Sequence, residues 1–600
     1  MKGFSRMARQ VAMLAIAVVV MLGASQPAFA VKAYPGTVTY YQPDGTPFQA
    51  RMIGDERAVF VETAEGHTVV KDAAGWWVLA DPASNRTERL RPTHLAAGKD
   101  DAPQAWSKHV RPQIDASRLP GPPRVQQDDG TIGNLFRSNR TQRGGRFNVA
   151  SNAVGLTPTT VPVLVILVDF SDFKHTTGAG APIAGEPNFN PIAGQPNTAS
   201  TWQTLLGDRT VAGGLNHFYW EATYQRMQWN VTVAQRGKGQ AGTGTLVNDG
   251  WYSNPNTMAY WGAAKSSPLT GCDEDKGSSA GGIKDLVTWA VQAADPDVNF
   301  AQYDANGDGS ISDAELMIFV VHARDGQEMY GSGCDGGDPN NNHIWSHKWN
   351  MRVNVAVDGK TIPTGHIYAM EPEFTPGFNF ATTPWTITDK YFGVGVFAHE
   401  ALHTLGAPDV YDTGYDATPA GDWDLMDSGS YNGAKSGTHP AHMGGPLKQD
   451  IKLNADTDAA SYGFILESEI TNVTADGAPR IDGTGNGTNP TNVLHRIQAP
   501  NNANEWFLLE NRAAVGYYEP YLPEHGVIVW HRDRSVSGSG NNSWPYQVNV
   551  LRKGWANTVA GLQVDASGAA FSADDNETSF TATTDPSNKL NSGAASGLKD

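Results

Sequence analysis

At 600 residues with a formal charge of −18, the chain has length for several domains and a balance too acidic for a nucleic-acid binder. Its 40% hydrophobic content suits a globular protein, and 65 glycines with 36 prolines imply much loop and turn. Beyond residue 30 no apolar run is long enough to cross a bilayer.

Residues 1–30 have the build of a secretory signal peptide: Lys2, Arg6 and Arg9, then the apolar run Val11–Gly23, then Ala28-Phe29-Ala30 as cleavage site. A cut there makes Val31 the first residue of a secreted, extracellular protein. Residues 31–125 read as a β-rich domain with strands Thr37–Gln42, Ala58–Glu62, Thr68–Lys71 and Trp76–Leu79, broken by Pro43-Asp44-Gly45, Glu65-Gly66 and Ala74-Gly75. With no catalytic constellation of its own, this unit is either an accessory domain or a cover for a site elsewhere. Residues 126–160 are a polar linker in which Arg137, Arg140, Arg143 and Arg146 recur. An exposed basic stretch of this kind is a candidate for a maturation cut.

Residues 161–460 are the expected catalytic domain. Val161–Phe170 is a nearly continuous apolar run, as in a buried central strand. Residues 174–214 read as a long loop, Leu215–Arg226 as a helix, Gln228–Ala234 as a strand and Ile283–Ala294 as another helix. For Cys272 and Cys334, export makes a disulfide the default. Asp304–Glu315 fits the twelve-position calcium loop: Asp304, Asn306 and Asp308 offer side-chain oxygens, Gly309 the bend, Ser310 its carbonyl, Ser312 a water and Glu315 a bidentate carboxylate. Leu316–His322 is β-branched and aromatic, so a strand follows the loop and the site reads as structural rather than sensing. His343 and His347 lie four apart without an evident third ligand, and read as satisfied or exposed histidines.

The sharpest signal is His399-Glu400-Ala401-Leu402-His403, extended to Gly406 and Asp409. Positions four apart share one face of a helix, so both imidazoles can aim at one zinc ion. Glu400 borders that ion as general base without occupying it. Gly406 and Pro408 end the helix and turn the chain, so Asp409 can return a carboxylate as third ligand, with Asp412 and Asp422 as alternatives. With 16 histidines in the chain, H-E-x-x-H is expected by chance on the order of 0.01 times, which favours the metal site over an ordinary amphipathic helix.

These motifs, with PDGTPFQARMIGDE from Pro43, VLVILVDF, IWSHKW, GDWDLMDSGSYNG from Gly421, WFLLENR and HGVIVWH, give a chain that resembles the immune inhibitor A family of secreted bacterial metallopeptidases. The resemblance runs from about Pro43 to beyond Trp530. It implies a zinc-dependent, calcium-binding endopeptidase made as a zymogen, with His399, His403 and Asp409 on zinc and Glu400 as base. It also makes Met426 the candidate for the methionine turn that related metzincins place below the metal, where a third histidine replaces Asp409. Tyr431 is a candidate oxyanion donor on nearness in sequence alone.

Pro446–Leu453 reads as a short helix. Within residues 461–600, Phe464–Leu466, Val493–Ile497, Trp506–Glu510 and Val527–His531 read as strands of a β-sandwich or β-rich lobe. The expected whole is a zincin-like α+β catalytic domain flanked by β-rich units. It would hydrolyse peptide bonds in extracellular proteins as a monomer by default, with no membrane span and no nucleic-acid partner. A metal-stabilised binding module and a zinc hydrolase of non-peptide amides or esters are the alternatives.

Overall fold

The computed structural model describes residues 29–55, 58–87, 90–112, 159–175, 190–262, 282–329, 343–379, 386–414, 417–450, 464–465, 469–472, 493–533, 535–536, 546–552, 569–571 and 596. The hydrophobic leader before residue 29, the linker arginines Arg137, Arg140, Arg143 and Arg146, and the cysteines Cys272 and Cys334 lie outside them.

The two-residue strand β1 (Phe29–Ala30) precedes a six-stranded antiparallel meander, β2 (Val38–Tyr41), β3 (Pro47–Asp55), β4 (Ala58–Thr63), β5 (Thr68–Lys71), β6 (Trp77–Ala80) and β7 (Pro92–Ala96). Alternation puts Val38, Tyr40, Phe48, Ala50, Val61, Val69, Trp77 and Leu79 into one small core.

The central sheet follows. Its strands are β8 (Thr159–Asp169), β9 (Met227–Val233), β10 (Tyr252–Ser253), β11 (Met317–His322), β12 (His347–Asn350) and, after the hairpin β13 (Val355–Val357) and β14 (Lys360–Ile362), β15 (Ile367–Pro372). The sheet order is β1-β12-β15-β11-β8-β10, with β9 also on β8. β8, β9, β10, β11 and β15 run parallel, while β12 is antiparallel to β15 and β1 antiparallel to β12. A buried parallel strand must be apolar on both faces. β8 shows this: Val161, Val163, Val165 and Leu167 enter one core, and Leu164, Ile166 and Val168 the other.

Helices cover both faces. α1 (Ala199–Gly207), α2 (Leu215–Ala222) and α5 (Val394–Thr404) share the first core; α3 (Met258–Gly262) and α4 (Ile283–Ala294) share the second. A hairpin, β16 (Thr375–Asn379) and β17 (Thr386–Tyr391), leads into α5. Two expectations change here. The loop expected at 174–214 contains α1, opened by the Thr198 side chain accepting from Thr201 N, a cap that satisfies a free helix-end donor. The helix expected through Arg226 stops at Ala222 because Tyr224 and Gln225 take left-handed φ values of 55° and 63°.

α6 (Gly445–Asp450) precedes a second six-stranded sheet of β18 (Thr471–Asn472), β19 (Leu494–Gln498), β20 (Glu505–Arg512), β21 (Gly526–Asp533), β22 (Val548–Val550) and β23 (Ala570–Phe571). Phe464 and Ile465 form a bend instead of the expected strand. Among the described residues this lobe is one sheet. Trp506, Leu508, Ile528 and Trp530 join the same core as α2 and α5. The architecture is mixed α/β with several sheets and few helices. Among the described residues no helix is long and apolar enough to cross a membrane.

Candidate metal centre and active site

α5 is buried along its whole length. Phe397, Ala398, Ala401 and Leu402 pack into the core beneath the sheet, and the Tyr219 hydroxyl from α2 donates to Ala398 O at 2.7 Å. On another side α5 meets the loop after Met426 so closely that a Cβ on Gly395 would lie 1.8 Å from Ser430 O. Gly406 takes a φ of 96°, and its N–H closes the last turn on His403 O at 2.9 Å. The chain then doubles back and brings Asp409 over the helix.

The three proposed ligand atoms form a small triangle. His399 Nε2 lies 3.1 Å from His403 Nε2, and Asp409 Oδ1 lies 3.2 and 3.1 Å from the two. His399 Nδ1 donates to Leu425 O and His403 Nδ1 to Ala407 O, each at 2.8 Å. Those bonds place the ring protons on Nδ1, so both Nε2 atoms present lone pairs. Two lone pairs and a carboxylate oxygen facing one another in a buried site repel unless a cation lies between them. Four ligands at 2.0–2.1 Å around tetrahedral zinc are spaced about 3.3 Å apart, close to the spacing seen. Burial lowers the His403 pKa, keeping the imidazole a neutral donor. Glu400 borders the triangle: among the described residues, His399, Glu400 and His403 each bring one ligand-type atom within 4.8 Å of the others. Of the other acids considered as third ligand, Asp412 instead accepts from Tyr546 OH at 3.1 Å and Gly414 N at 2.7 Å, while Asp422 offers its backbone carbonyl to Asn432 at 2.8 Å.

Glu400 Oε1 accepts from the backbone nitrogen of Val31 at 2.6 Å. The N-terminal segment therefore crosses the site. β1 pairs with edge strand β12 through Ala30 opposite His347. Val31 O accepts from Trp345 Nε1 at 2.9 Å, Lys32 O from Tyr431 OH at 2.5 Å, and Tyr34 N donates to Glu328 O at 2.9 Å. Tyr431 thus lies in the cleft, with its hydroxyl on Lys32 O. Met426 is fully buried in the core that α5 shares, its carbonyl accepting from Val410 N at 3.0 Å. Nothing in the sequence pattern pointed to Trp345 or Glu328 as cleft residues. Only the cleavage motif, which puts Val31 at a chain start, hinted at a special place for that residue.

The acidic loop sits apart. Asp308 N donates to Asn306 Oδ1 and Ser310 N to Asp308 Oδ1, both at 2.8 Å. Ser312 Oγ donates to Glu315 Oε2 at 2.8 Å, and Asp304 Oδ2 pairs with Lys360 Nζ at 2.6 Å. His347 is held by Trp345 O at 2.8 Å and Tyr368 OH at 3.1 Å, and His343 by Asp325 O at 3.1 Å; of the two expected states, satisfied or exposed, both are satisfied.

Residues 152–457 match the family described as immune inhibitor A peptidase M6, catalytic domain. The chain is 32% identical over 293 residues to an immune inhibitor A of Bacillus thuringiensis subsp. alesti, covering 46% of this chain and 37% of that protein. It is 35% identical over 217 residues to the pre-pro-metalloprotease PrtV of Vibrio cholerae serotype O1, covering 34% of this chain and 21% of that protein. The aligned part therefore spans well under half the length of these relatives. With the metal-binding helix inside a match that takes in more than half of its residues, the chain belongs to the immune inhibitor A family of M6 peptidases.

Proposed function

We propose that this protein is a secreted zinc metalloendopeptidase that cleaves extracellular proteins and is made as a zymogen. The observation that carries the reading is the triangle of His399, His403 and Asp409 with Glu400 beside it. Those three side chains would hold zinc, which supplies a Lewis acid to activate water and polarise the scissile carbonyl. Glu400 takes a proton from the attacking water and delivers it to the departing amine. Its Oε1 already lies at hydrogen-bond distance from a backbone nitrogen, that of Val31. Tyr431 lines the same cleft as a candidate donor to the oxyanion.

Latency is supported by the same contact. While the Val31 nitrogen occupies Glu400, the base cannot serve a substrate. The intact chain is expected to hydrolyse casein at least tenfold more slowly than chain nicked between the β-rich N-terminal domain and β8, and a chelator should abolish the faster rate. Equal rates before and after nicking would remove the zymogen reading; chelator-insensitive hydrolysis would remove the metal.

We also propose calcium in the Asp304–Glu315 loop, where Asp304, Asn306, Asp308 and Glu315 present oxygens and Ser310 joins Thr361 of β14 through a bridge. Lys360 on Asp304 is a competing cation and would have to yield. Saturation at a hundred times Kd is expected to add about 2.7 kcal/mol of stability, read as a rise in thermal midpoint that Asp304→Ala abolishes. An identical rise in that variant would place any calcium elsewhere.

A further inference from the structure

Across the cleft, the contacts of the N-terminal segment separate into two kinds. The carbonyls of Val31 and Lys32 and the nitrogen of Tyr34 are met by Trp345, Tyr431 and Glu328. Any peptide can make these bonds, since every residue offers the same backbone groups. The side chains make the selective contacts. Val31, fully buried, packs with Met329, Val396 and Tyr431. Lys32 reaches Asp427, its Nζ lying 3.4 Å from Asp427 Oδ1 and 3.4 Å from Ser428 Oγ.

The segment also has a defined register. Peptide hydrolysis releases an amine that must receive its proton from Glu400, and the nitrogen at that atom belongs to Val31. Val31 therefore stands where the first residue after a cleaved bond stands, and Lys32 where the second stands.

Asp427 is built as an anion. Its Oδ2 accepts from Ala420 N and Gly421 N at 3.2 and 2.7 Å, and its Oδ1 from Ser428 N at 2.8 Å. These bonds orient the carboxylate but leave its charge. Its side chain is fully buried, and among the described residues its ion pair is with Lys32. A buried carboxylate without a cation is costly. When the segment leaves, the charge faces the cleft uncompensated. Loop organisation alone accounts for the three backbone bonds; it does not account for a carboxylate whose paired cation is supplied by the segment lying in the cleft.

We infer that Asp427 is a specificity-determining residue that selects substrates with lysine or arginine at the second position after the scissile bond, the first position taking a branched apolar side chain. This rests on the peptidase reading above. The test uses full chain in the nicked state that hydrolyses casein. It is offered peptides identical except at that second position, which carries lysine, arginine, acetyl-lysine, norleucine or glutamate. Lysine and arginine are expected to exceed norleucine and acetyl-lysine at least tenfold in kcat/KM, and glutamate at least a hundredfold. Asp427→Asn should bring the lysine-to-norleucine ratio below threefold. If that variant does not fold, the peptide series on the parent protein decides alone. Casein hydrolysis with lysine and norleucine within twofold of each other overturns the inference and leaves the peptidase reading standing. Failure of zinc-loaded protein to cleave casein or any peptide overturns the peptidase reading, and the inference with it.

Discussion

Glu400→Gln is expected to bind zinc at the parent's stoichiometry and to hydrolyse casein roughly 10³-fold more slowly, within the range that general acid–base catalysis contributes. Glutamine keeps the size of the side chain and one hydrogen-bonding oxygen, so neither α5 nor the imidazole pair should move. What is lost is an atom that can carry a proton from water to the leaving amine. His403→Ala provides the contrast: one corner of the triangle at His399 and Asp409 disappears, and metal content should fall together with activity. Metal analysis beside a casein assay separates the two outcomes. A Glu400→Gln protein that cleaved casein at the parent rate would place the base on another residue.

Glu519→Ala is expected to destabilise the fold by about 3 kcal/mol, the low end of the cost of breaking a buried ion pair, because Arg512 keeps Glu510 Oε2 at 3.7 Å. Glu519 accepts from Arg512 Nε at 2.7 Å and a second guanidinium nitrogen at 2.8 Å, and from His442 N at 3.1 Å. Arg512 also donates to Trp423 O at 2.8 Å, at the start of the loop that carries Met426 and Asp427. Burial pushes the Glu519 carboxyl up, but the Arg512 guanidinium outweighs this and holds it well below its ordinary value. The sign follows: a depressed folded pKa contributes stability above the ordinary glutamate pKa, near 4.3, and loses it as pH falls through the folded value. Urea midpoints should therefore drop sharply for Glu519→Ala at pH 7, and the variant should lose less further stability on acidification than the parent. A midpoint unchanged at pH 7 would show that the pair does not brace the loop at Trp423.

The sequence was most informative where chemistry is local. The spacing of His399, Glu400 and His403 needs one turn of helix, and the fold supplies it in α5. The apolar run at β8 and the periodicity of α4 likewise depend on near neighbours, and α4 has the bounds its pattern predicts. Local reading failed where one residue's conformation overrode periodicity, as at Tyr224 and Gln225. It also missed α1, whose Thr198 cap stands amid Gly- and Pro-rich sequence. For the cleft it offered Tyr431 but none of the pairings with the N-terminal segment. Val31 and Glu400 are 369 positions apart, and Lys32 and Asp427 are 395 apart. Such pairings come from strand order in the central sheet, which no spacing rule reports.

If the N-terminal segment acts as the proposed plug, that separation has a kinetic meaning. A plug tethered to its own socket acts at an effective concentration fixed by the tether, in the millimolar range for short flexible links, whatever the number of molecules in solution. Dilution cannot uncover an uncut chain, and crowding cannot help to cover it. Once the tether is severed, the same contacts become an ordinary two-body equilibrium that weakens with every fold of dilution. A single cut would thus convert a contact indifferent to dilution into one governed by it.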